Sequence, residues 1–102
     1  MYRYTTPTIP LTIDDVDFAD VSLFRVAIEQ GGVEMLKVIN VDDPAVDAEN
    51  HTIYVPLTQE ETASFKKGVG EVQVRIRFTS GAVQATQKAK LSVHDVLDEV
   101  II

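Results

Sequence analysis

Residues 71–79, EVQVRIRFT, alternate without a break. Val72, Val74, Ile76 and Phe78 fall on one parity, and Glu71, Gln73, Arg75 and Arg77 on the other. Period two predicts a strand with one buried face. Ser80-Gly81 is a turn signal, and residues 82–93 return with Val83, Ala85, Ala89, Leu91 and Val93 on one parity. A two-residue loop at 80–81 pairs Phe78 with Val83, Ile76 with Ala85, Arg77 with Gln84, Arg75 with Thr86 and Glu71 with Lys90, so that both apolar faces coincide. Gln87 then falls opposite Val74 on the inner face, which predicts a β-bulge near 85–88 or the rim of the sheet.

Upstream, VSLFRVAIEQ (21–30) puts Phe24, Val26 and Ile28 on one face, and VEMLKVIN (33–40) follows a Gly31-Gly32 turn. The two runs read as a hairpin with Leu36 and Val38 facing in; a helix over 21–30 is the competing reading, disfavoured by β-branched content. TIPLTI (8–13) reads as an edge strand or a strand start, because Pro10 cannot donate to a ladder. HTIYVPL (51–57) reads as a strand with Ile53, Val55 and Leu57 inward, ending near Pro56. The polar segments 14–20 and 41–50 read as loops, the first with Phe18 as an apolar anchor.

One stretch breaks the β pattern. In LTQEETASF (57–65), Thr58 and Glu61 have capping-box spacing, which starts a helix. Gly68 and Gly70 limit it to one or two turns within 58–65. About seven strand-like segments with turn signals every 8–12 residues give an all-β fold class, an antiparallel two-sheet sandwich formed as a single domain over residues 1–102. A capped turn is a compact way to cross the ~10 Å between two sheets. The expected core is Phe24, Val26, Ile28, Leu36, Val38, Ile53, Val55, Val72, Val74, Ile76 and Phe78. Residues 94–102, HDVLDEVII, end on apolar residues and are open to a strand, a helical turn or an interface.

Charge sharpens the picture. Residues 1–60 carry 11 acidic and 3 basic residues, a balance of −8; residues 61–102 carry 5 and 6, a balance of +1. A net charge of −7 argues against nucleic acid, and the asymmetry permits contact between copies in a homo-oligomer. No run of about 18 apolar residues exists to span a membrane, and MYRYTTPTIP does not read as a secretory signal. There is no cysteine, hence no disulfide and no thiolate ligand.

The residues offer little chemistry. The acidic runs Asp14, Asp15, Asp17, Asp20 and Asp42, Asp43, Asp47, Glu49 lack the spacing of a calcium loop. His94-Asp95 are sequence neighbours, which point apart on a strand. Gly68-Val69-Gly70 precedes a strand rather than the helix a phosphate loop requires. Tyr2, Tyr4 and Tyr54 are the aromatics free to meet a glycan. No cofactor, metal site or enzyme activity is expected. Arg75, Arg77, Lys88 and Lys90 share the outer face of the last hairpin, and with apolar Val100, Ile101 and Ile102 they are the candidate contacts to a protein partner.

LTQEET, a short gap, EVQVRIRF, a turn, AVQATQKAKLSV and the ending VHDVLDEVII together resemble small immunoglobulin-like sandwich proteins encoded by phages and prophages of Gram-positive gut bacteria. The order is similar to that of the N-terminal domain of phage baseplate upper proteins. The resemblance implies a non-enzymatic structural or interaction module, made in the bacterial cytoplasm and carried in a virion. Its partners would be virion components or further copies of itself. The alternative expectation is a module that recognises a host-surface glycan or protein.

Overall fold

The larger sheet grows from two hairpins. The computed structural model describes residues 1–102. In the first hairpin, β2 (Val21–Gln30) and β3 (Val33–Asn40) pair antiparallel about Gly31-Gly32. Both glycines have positive φ, +55° and +88°, which the tightest hairpin turn requires. In the second, β6 (Gly68–Phe78) pairs with β7 (Val83–Ala85) and then β8 (Ala89–Val93). The two hairpins join through β2 and β6, giving the order β3-β2-β6-β7 with β8 also on β6. The smaller sheet is β1 (Thr8–Thr12), β5 (Thr52–Pro56) and a two-residue β4 (Val46–Asp47), in the order β1-β5-β4. Together they form an all-β antiparallel sandwich of 46 × 25 × 18 Å.

The core lies between the sheets. Phe24, Val26, Ile28, Val72, Val74 and Ile76 from the larger sheet and Ile53 and Val55 from the smaller are buried, as the alternation predicts. Phe78 is half-buried at the end of β6. Phe18, in a single 3-10 turn at Phe18–Asp20, stacks on Phe24 at 4.9 Å between ring centroids. Pro10 lies in β1, an edge strand, and Pro56 is the last residue of β5. The elbow is α1 (Gln59–Ala63), capped as expected: Thr58 Oγ accepts from the Glu61 amide at 3.2 Å, and the Thr58 amide donates to Glu61 Oε1 at 2.9 Å. It carries the chain from β5 in one sheet to β6 in the other, and the following Phe65 is buried.

Three expectations are corrected. Leu36 and Val38 face outward, 44% and 57% exposed, while Met35 and Ile39 turn inward. The two-residue Gly-Gly loop is the cause: it pairs Gln30 with Val33, hence Ile28 with Met35 and Phe24 with Ile39. Lys37, also on the inner parity opposite Val26, reaches out to Glu61 Oε2 at 2.8 Å, so its stem covers the sheet edge and its charge ends on the elbow.

The second correction concerns the last hairpin. Its loop has three residues, with Gly81 at φ +91° and the Phe78 amide bonded to Ala82 O. The pairs are therefore Arg77 with Val83, Ile76 with Gln84 and Arg75 with Ala85, one residue out of the expected register. Val83 faces outward, 57% exposed, and Gln84 occupies an exposed rim where the smaller sheet does not cover β7. The expected register returns beyond a bulge at residues 86–88, so Glu71 does face Lys90. Thr86 fills the bulge: its amide donates to Val74 O and its Oγ accepts from the Val74 amide.

Third, β4 lies within the segment 41–50 read as loop; residues 94–102, left open by the sequence, form no named strand. That C-terminal segment is held at points. Tyr2 and His94 make an isolated bridge, Arg3 forms ion pairs at 3.1 Å with both Asp95 and Glu99, and the Gln59 side chain both donates to and accepts from the backbone of Ile102.

Candidate interaction surface

Strand alternation places every second residue of the larger sheet on its outer face, and the registers align them in rows. Leu23 lies beside Arg77 and Val83. Next come Val38, Arg25, Arg75 and Ala85; then Leu36, Ala27 and Gln73; then Glu34, Glu29, Glu71 and Lys90. One end of the face is thus an arginine cluster edged by apolar residues. The other is a row of three glutamates.

Cross-strand neighbours of like charge oppose pairing, and here Arg25 faces Arg75 while Glu29 lies between Glu34 and Glu71. None of these groups belongs to an ion pair; the three ion pairs are Arg3–Asp95, Arg3–Glu99 and Lys37–Glu61. The middle row is short and neutral, because Ala27 has only a methyl group. Around the acidic end lies an open hollow of ≈ 380 Å³ lined by Glu29, Glu34, Glu71, Gln73 and Lys88 among others.

The expected basic ribbon is therefore divided. Arg75 and Arg77 sit at one end with Arg25, which the sequence reading passed over although its parity in 21–30 marks it as outward. Lys88 and Lys90 sit at the other end, on the sheet rim beside Glu71. Val100, Ile101 and Ile102 are exposed but lie apart, beside α1 near the start of β6. Seven to nine residues of β6, roughly 25–30 Å, separate that start from Arg75 and Arg77.

Other chemistry-bearing residues have structural partners. Asp17, Asp43 and Asp47 each accept a nearby backbone amide, and no three acidic or histidine side chains converge on one point. His94 stacks against Tyr2 at 5.3 Å, and Asp95 holds Arg3, so the two do not form a dyad. His51 has φ +51° and sets its Nδ1 3.0 Å from Val16 O. Tyr4 lies under the Arg3 guanidinium, and Tyr54 is exposed on the smaller sheet.

The acidity of Glu61 is shifted. Partial burial pushes its pKa up, but the Lys37 ammonium and the Thr58 amide together outweigh that and hold it below the ordinary value of 4.5. No helix is long and apolar enough to cross a membrane. No family model matches the chain, and neither a curated protein nor a solved structure matches it.

Proposed function

We propose that this chain is a non-enzymatic structural and interaction module of a phage- or prophage-derived virion, associated with the tail or baseplate. The observation that carries the interaction role is the outer face of the β3-β2-β6-β7 sheet. Leu36, Val38 and Val83 are exposed there beside an arginine row and a glutamate row whose charges form no ion pair within the chain. Leaving like charges side by side weakens an isolated sheet, and an opposing surface of the right polarity relieves it. The virion setting rests on the resemblance carried by LTQEET, EVQVRIRF and AVQATQKAKLSV. A rigid sandwich that offers a flat face suits a component whose task is to hold position against neighbours.

The test is fractionation of a lysate from an induced host. Particles are banded on a density gradient and their proteins identified by mass spectrometry. The proposal expects this chain in the particle band at a fixed ratio to tail proteins. Its confinement to the particle-free supernatant overturns the virion assignment.

A further inference from the structure

We infer that the outer face of the larger sheet binds a second copy of itself, forming a two-fold symmetric dimer in which the arginine end of each copy covers the glutamate end of the other. The inference deepens the interaction role proposed above and rests on it.

The charge pattern selects the geometry. Arg25 and Glu29 are four residues apart on β2, and Arg75 and Glu71 are four apart on β6, so the two rows are separated by about 13 Å. A face-to-face pair has two simple symmetric arrangements. With the two-fold axis along the strands, Arg25 and Arg75 meet their own equivalents and the rows repel. With the axis across the strands, through the Ala27/Gln73 row, each end meets its opposite. Arg25 then lies over the partner's Glu29 and Arg75 over the partner's Glu71, and symmetry doubles both contacts. Leu36 lies over the partner's Leu36, which covers an apolar side chain left 44% exposed in the single copy. The contact is isologous and closes at two copies.

The middle of the face permits the approach. Ala27 at the axis raises no bulk, so the sheets can close toward the ~10 Å at which such layers pack. Lys90, opposite Glu71, passes over the partner's Ala85 in this arrangement rather than over its arginines, while Lys88, level with Gln73 at the rim, lies near the axis beside the partner's Lys88. Four strand widths by four rows give a footprint of about 500 Å² per copy. That is at the small end for specific interfaces, and it sets a weak dimer with a dissociation constant in the micromolar range or above.

The test is sedimentation equilibrium of the whole chain from micromolar to millimolar concentration, in about 20 mM and about 500 mM sodium chloride. The expected result is a monomer–dimer equilibrium weakened at least tenfold by the higher salt, where exposed charges are screened within a few ångströms. Two double variants decide which face is responsible. Arg25→Glu with Arg75→Glu makes the two central strands of the face acidic at both ends, and Glu29→Arg with Glu71→Arg makes them basic at both ends. Each is expected to be monomeric alone, and their mixture to form a one-to-one heterodimer tighter than the wild-type pair. Circular dichroism confirms that each variant is folded; if one is not, the wild-type salt dependence and single Leu36→Glu, which sets a carboxylate against its own copy in the axis row, give the same decision. A chain monomeric throughout at low salt overturns the dimer, as does a dimer that ignores both salt and the charge reversals. A monomeric chain still found in the particle band loses the dimer and keeps the virion role. A dimer absent from particles does the reverse.

Discussion

The buried threonine of the elbow shows how single residues decide this structure. Thr62 is fully buried, and its Oγ lies 3.1 Å from the Thr5 amide, from which it accepts, and 3.0 Å from Thr5 O, to which it donates. A helical threonine thus stands in for the strand partner that residue 5 lacks. In the sequence it looks only like a poor hydrophobic staple, because nothing local announces a contact 57 residues away. Thr62→Val keeps the shape and removes both bonds, leaving a part-buried amide unpaired. Urea denaturation is expected to show a loss of about 1–3 kcal/mol, with Thr62→Ser losing less. Glu61, by contrast, was legible from its spacing to Thr58. Its folded pKa lies below 4.5, so its contribution to stability is complete above that value and disappears as pH falls through the lower, folded pKa. Stability measured between pH 7 and pH 3 is therefore expected to drop more steeply for the wild type than for Glu61→Gln.

At the scale of the element, alternation revealed which segments are strands, and turn geometry decided which way they face. The run 71–78 shows its faces plainly because polar and apolar residues separate cleanly. The run 33–40 does not: Leu36 and Val38 compete with Met35 and Ile39, and only the pairing forced by Gly31-Gly32 breaks the tie. That information was present in the two glycines. The three-residue loop at 79–81 was harder to see, since Ser-Gly also fits a two-residue turn, and the bulge at 86–88 then hides the slip by restoring register in β8. The assignment of β3 has a direct consequence. Ile39→Ala empties a buried position and is expected to cost about 2–4 kcal/mol. Leu36→Ala, measured at sub-micromolar concentration, is expected to stay within about 0.5 kcal/mol. Gly70 is a second case. A Cβ there would lie 2.9 Å from Glu29 O, a backbone atom of β2 that cannot swing aside, so Gly70→Ala is expected to lower the melting temperature where Gly81→Ala is strained by its φ alone.

The whole molecule is closed by its two ends. Strand alternation and turn spacing foretold a sandwich, but not that residues 1–3 and 92–95 lie side by side, because that contact depends on few groups of ordinary type. The Met1 ammonium donates to Ser92 O, the His94 amide to Met1 O and the Arg3 amide to His94 O. Arg3 then holds Asp95 and Glu99 through one guanidinium nitrogen and Ala63 O of the elbow through the other. One side chain thus links the N-terminal segment, the elbow and the C-terminal segment, with Gln59 as a second clasp on Ile102. Beyond Val93 no apolar side chain of 94–102 is buried, so these polar contacts are what hold the segment in place. Arg3→Ala combined with Gln59→Ala is therefore expected to free residues 94–102 locally. In hydrogen exchange, the His94 and Ile102 amides should exchange at least about tenfold faster, while the amides of β2 and β6 keep their protection. Unchanged exchange at His94 would mean that the backbone bonds to Met1 and Arg3 suffice. Loss of protection in β2 and β6 as well would mean that the ends belong to the cooperative unit of the sandwich.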